Sequence, residues 1–129
     1  MTVNLRLSNN KDVVYIECEG SVTAEDIKNS VTRLYSEKDI HLQKYQIIDL
    51  SKCASADILS SDVKDVVLMH KEGLVLSSKL KVGMIAPSDF LFGMSRIYKA
   101  YAESIGLEVL IFRDKEKCYL WLENQLKQS

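Results

Sequence analysis

The chain has 129 residues, 47% of them hydrophobic and 27% charged, which suits one globular domain and excludes a disordered or membrane-embedded chain. With 17 basic and 18 acidic side chains the net charge is -1, so there is no bulk field to hold nucleic acid. The opening MTVNLRLSNN lacks a charged segment followed by an apolar run, and no apolar stretch approaches the ~20 residues of a membrane span; a cytoplasmic protein without a transmembrane segment is expected.

Leu5 and Leu7, then Val13 to Glu19, predict two strands joined by the turn-forming run Ser8 to Asp12, a β-hairpin that Gly20 ends. Thr23 suits a helix cap, Glu25 and Asp26 suit the positive end of the helix that follows, and Ile27, Val31, Leu34 and Tyr35 form one apolar stripe. After a polar connection from His41 to Lys44, in which His41 is expected to be solvated, Tyr45 to Leu50 reads as a buried strand ending at Asp49-Leu50-Ser51, with a loop to about Ser60. Val63, Val66, Val67, His70 and Leu74 trace a second helix that frays at Gly73. Leu80 to Ala86 is a third buried strand, stopped by Pro87, whose missing N–H cannot serve a central ladder. Ser88 and Asp89 then open the longest helix, with Phe90, Met94, Ile97, Tyr101 and Ile105 as its core stripe and Gly106 at its end. Leu107 to Phe112 gives the last strand. Asp114 opens the last helix, in which Cys118, Leu122 and Leu126 share a face beside Trp121. The order β-β-α-β-α-β-α-β-α predicts an α/β fold in a single domain, 1–129. Its mixed, mostly parallel sheet has about five strands, opened by the β-hairpin, with four helices on its faces through right-handed crossovers.

Cys18, Cys53 and Cys118 are odd in number and widely separated, so they read as reduced, buried, small hydrophobes. His70 falls on an apolar stripe and His41 in a polar connection, and neither has close Cys, Asp or Glu partners, so no metal site is expected. Five glycines form no phosphate-cradling loop, and no serine sits in a Gly-x-Ser-x-Gly elbow. No cofactor and no catalytic set is therefore nominated, and the candidates that remain are binding residues. Asp49 lies at the carboxyl end of a parallel strand, where open α/β sheets place functional groups. Free amides from Ser88 to Leu91, with Arg96 near, offer a pocket for a small anion. Phe92 and Arg96 are four apart on one helix face, so a guanidinium stacked on an exposed ring is one option, the other being a surface arginine that pairs with a nearby acid. Phe90, Leu91 and Phe92 point three ways, so at least one should leave the core and meet a ligand, a loop or a second subunit.

Two stretches carry a family resemblance. Ile47-Ile48-Asp49-Leu50-Ser51 with the loop and helix after it, and Val82 to Pro87 through Phe92-Gly93-Met94-Ser95-Arg96 to Val109-Leu110-Ile111-Phe112-Arg113-Asp114 and Trp121-Leu122, resemble the SpoIIAA-like proteins of the STAS group. In the anti-sigma-factor antagonists of that group, a strand ending in an acidic or amide residue leads to an Asp-Ser pair at a helix start, where a kinase partner phosphorylates the serine. Here the same offset from Asp49 reaches Asp57 and then Ile58. Ser55, Ser60 and Ser61 lie close but out of register, and read as loop and cap residues. The resemblance implies a STAS (SpoIIAA-like) fold and a non-catalytic binding or regulatory module acting through a protein partner or as a homodimer, without the phosphorylated serine. A second reading is a small-molecule or lipid-sensing domain with an apolar pocket lined by Phe90, Met94, Tyr98 and Tyr101. A third is a small enzyme using Asp49 or Arg96.

Overall fold

The structure is a computed structural model describing residues 2–57, 60–73 and 80–128. Its elements follow the predicted order: β1 (Thr2–Leu7), β2 (Val13–Thr23), α1 (Ala24–Tyr35), β3 (Tyr45–Asp57), α2 (Ser60–Gly73), β4 (Lys81–Ile85), α3 (Asp89–Ser104), β5 (Glu108–Phe112) and α4 (Lys115–Gln128), with a 3-10 turn at Ile40–Leu42. The strands lie side by side in chain order; β1 is antiparallel to β2, and β2 through β5 are parallel. Each right-handed crossover moves one strand over in the same direction, which puts α1, α2 and α3 on one face. α4 follows β5 and packs on the other face, against β3, β4 and β5. Strands are spaced about 4.8 Å apart and a helix is about 10 Å wide, so α4 shields only part of its face and leaves the β1–β2 side open.

Alternation along the strands feeds both layers. Val14, Ile16 and Cys18 of β2 point toward the three helices, while Val13 and Tyr15 point toward α4. In β3, Ile48 and Leu50 take the first side, and Tyr45 and Ile47 the second. Burial pushes the thiols of Cys18 and Cys118 up to about 12, so both are the inert hydrophobes expected, whereas Cys53 is only half-buried.

Three departures from the expected elements have local causes. Gly20 does not end β2. It adopts φ 77°, where L side chains are strained, at one of two register shifts against β3, and the strand continues past this bulge to Thr23. β3 keeps pace, pairing Ser55 with Ser21, Ala56 with Val22 and Asp57 with Thr23, so the expected loop after Ser51 is strand as far as Asp57. The two strands project beyond β4 as a ribbon held down by buried Val22. Second, Gln43 in the polar connection turns inward, while His41 is exposed as expected. Gln43 and Gln46 are buried, and Gln46 Nε2 donates to Gln43 Oε1 at 2.8 Å.

The third departure concerns α3, whose buried stripe is Leu91, Ser95, Tyr98 and Ala102. The expected stripe is turned away from the sheet: Phe90 is 56% and Ile97 38% exposed, with Met94, Tyr101 and Ile105 at the margin of the core. Small Ser95 and Ala102 let the helix backbone sit close to the sheet, an advantage that a reading of large apolar residues overlooks.

The entry into α1 is a capping box. Thr23 Oγ1 accepts from Asp26 N–H at 3.2 Å, and the Asp26 carboxylate accepts from Thr23 N–H at 3.0 Å. Thr23→Ala should cost about 1 kcal/mol, read as a lower urea midpoint at unchanged slope.

Candidate functional site

The start of α3 is assembled from two chain segments. Ser88 is the N-cap, its Oγ accepting from Leu91 N–H at 3.1 Å. Arg113, just past β5, reaches across: its Nη1 donates to Pro87 O at 3.0 Å and to the Asp89 carboxylate at 2.9 Å. That fork holds the guanidinium 4.2 Å from the centre of the Phe92 ring. Phe92 thus carries a stacked arginine, but it is Arg113, because the Asp89 and Pro87 oxygens hold that group in place. Arg96 is exposed and neither stacks nor pairs with an acid among the described residues. The anion pocket expected here has its cap acceptor in use, and the Asp89 carboxylate puts negative charge at the positive helix end. On the outward side, Phe90 and Ile97 flank Gly93, which is exposed with open space around it.

Asp49 sits on the opposite face of the sheet, under α4. It is the last β3 residue to pair with β4, opposite Ile85, and it is buried. One carboxylate oxygen accepts from Ser51 N–H at 2.9 Å and from Ser51 Oγ at 2.6 Å; the other lies 3.0 Å from Lys115 Nζ in the first turn of α4. Burial alone would push its pKa up, but the Ser51 bonds and Lys115 outweigh it and hold the carboxyl below its ordinary range. The sheet lies between Asp49 and Arg96, so the two do not form the catalytic pair that the enzyme reading needs. Beside Asp49 the uncovered sheet forms an open cleft of about 320 Å³ lined by Arg6, Tyr15, Glu17 and Tyr119, with Arg6 stacked 3.9 Å from the Tyr15 ring centre. Its carboxylates are already engaged, Glu17 with Lys52 at 3.2 Å and Asp49 with Lys115.

Between the sheet and α1, α2 and α3 lies an apolar pocket of about 110 Å³, partly open to solvent. Met94 and Tyr98 line it as the small-molecule reading expects, but Phe90 and Tyr101 do not; Leu91 and Ser95 replace them because the buried stripe of α3 is turned by one residue. Tyr98 is buried, and burial raises its pKa. Asp57 closes β3. Its side chain and those of Ser55, Ser60 and His70 lie outside the described residues, as does Ile58 altogether. Among the described residues no group of His, Cys, Asp or Glu is arranged to hold a metal, and no helix is long and apolar enough to cross a membrane.

Arg113, Lys115 and Ser95 were not singled out by sequence reasoning. Arg113 and Lys115 carried one signal: two cations flank Asp114 just past a strand end, where side chains reach the neighbouring strand ends.

No protein-family model and no curated protein matches the chain. Solved structures do. The anti-sigma factor antagonist SpoIIAA in its unphosphorylated form superposes with a TM-score of 0.61 at 12% identity, over 95% of this chain and 98% of that one. The fold is SpoIIAA-like. An uncharacterized Shewanella loihica PV-4 protein of the DUF3478 family, with a SpoIIAA-like fold, gives 0.60 at 19% identity over 94% and 92% of the two chains. The phosphorylated form of SpoIIAA, a Bacillus cell fate determinant, gives 0.58 at 11% over 94% and 99%. The SpoIIAA-like architecture thus extends across nearly the whole chain.

Proposed function

We propose that this SpoIIAA-like domain is a non-catalytic regulatory module that docks a protein partner on the outer side of α3. The observation that carries the reading is the exposure of Phe90 and Ile97 on either side of Gly93, at a helix start braced by Arg113. Large apolar side chains grouped on a rigid element, with no bulk behind Gly93 to block approach, suit a protein surface. Two of the similar structures are of SpoIIAA, an anti-sigma factor antagonist, a protein named for its action toward another protein. Asp49 supports the same reading from the other face, since its charge is spent on Lys115 and Ser51.

Phe90→Glu and Ile97→Glu test it, because both side chains face solvent and their loss should move stability by only about 0.5 kcal/mol. Quantitative affinity capture with the native chain should enrich a defined partner that each variant loses at least tenfold. Sedimentation velocity separates the homodimer form of the idea, in which the native mass itself falls on substitution. Capture and mass that are identical in native and variant chains refute the proposed surface.

A further inference from the structure

We infer that the cavity under α3 is a binding site for a small uncharged alcohol or phenol, hydrogen-bonded to Ser95. Apolar side chains lining an unfilled pocket lack contact partners on one side, and an apolar occupant would supply them. This pocket lies where β3 runs past the end of β4, bounded by Val22, Leu50, Met84 and the first turns of α3, at the carboxyl side of the parallel strands where open α/β sheets receive ligands. Among the described residues no charged side chain lines it, so a charged ligand would be held there without a counter-charge.

Ser95 supplies the polar contact. It is 1% exposed, lines the pocket, and its Oγ has no hydrogen-bond partner among the described residues. Ser30, the other serine of the lining, donates to Ile27 O at 2.7 Å and so is satisfied within its own helix. A buried hydroxyl without a partner is destabilising, and Ala102 shows that alanine fits this stripe of α3. An unfilled apolar pocket and a buried hydroxyl without a partner among the described residues meet at one point, and both are relieved by one kind of occupant, a largely apolar molecule with a single hydroxyl. Size narrows it further: an apolar cavity of about 150 Å³ accepts benzene, so about 110 Å³ suits a molecule of that scale or smaller. The flexible thioether of half-buried Met94 is a lining group able to swing aside for entry.

The test titrates the whole chain with phenol and with benzene, following the methyl NMR signals of Met84 and Met94. Both probes should shift these signals saturably, phenol binding roughly fivefold tighter through one net hydrogen bond. Ser95→Ala should melt above the parent without ligand, retain benzene binding and lose the phenol advantage. Absence of saturable shifts in the parent, equal affinity for the two probes, or a phenol advantage that survives Ser95→Ala would each overturn the assignment.

Discussion

Gly83→Val should cost this chain most of its stability, and Gly83→Ala should already weaken it measurably. Gly83 lies in the middle of β4, on the face that α4 covers. A Cβ there would stand 2.9 Å from Trp121 Cζ3, 3.1 Å from Cys118 Sγ and 3.3 Å from Ile47 Cδ1. The nearest atom belongs to a ring with little freedom to yield: Trp121 meets Tyr45 edge-on at 6.2 Å and Phe112 at 5.8 Å. Alanine gains about 0.4–1 kcal/mol by restricting the unfolded chain, against about 1–3 kcal/mol for overpacking a filled core. The net sign is a loss. Valine adds two more methyl groups to the same contact, so its cost should exceed about 3 kcal/mol. Trp121 is the only tryptophan, which makes its fluorescence a direct reporter of α4. The valine variant should show a red-shifted native spectrum and a much lower urea midpoint, because α4 has been levered off the sheet. A parent-like spectrum and midpoint would mean that α4 does not pack against β4 at this position.

Periodicity made the layered plan legible, because strands and helices differ in period and several were bounded by Gly, Pro or a capping residue. The two faces of Val13 to Cys18, the stop at Pro87 and the cap at Thr23 all follow from local chemistry of that kind. The rotation of α3 was hidden because small residues facing the sheet look no different, in a hydrophobic pattern, from small residues facing water. Ser95 and Ala102 win the inner face by closeness of approach. The extension of β3 to Asp57 was hidden for a different reason: Ser51 to Asp57 has loop-like composition and becomes strand only because β2 runs alongside it past the Gly20 bulge. At the candidate sites, Asp49, Ser88 and Phe92 were legible from strand ends and helix starts. Their partners Lys115 and Arg113 come from another part of the chain, and no local pattern pairs residues that distant.

Asp49→Ala should lower stability by about 2–3 kcal/mol, since it strips two Ser51 bonds from a buried carboxylate site and leaves Lys115 without its counter-ion. Lys115→Met should cost about 1 kcal/mol or less, because the ammonium is 45% exposed and water screens the pair. The pH dependence separates the two contributions. The folded pKa of Asp49 is depressed, so its contribution is complete above the unfolded value near 3.8 and disappears as pH falls through the folded one. The Asp49 bond raises the pKa of Lys115, so that contribution is complete below the unfolded value near 10.5 and is lost as pH rises through the folded one. Glu17 and Asp26 are also depressed and will give any variant some acid sensitivity, so the quantity to read is the difference from the parent. Between pH 5 and pH 2, the stability lost by Asp49→Ala should be smaller than that lost by the parent, and the two curves should converge at the acid end. Parallel curves would mean that Ser51 and Lys115 do not hold the folded Asp49 carboxyl below its ordinary range. Convergence that is weaker in a Lys115→Met background would assign part of the Asp49 charge to tying the first turn of α4 to the sheet, the same helix that Gly83 admits.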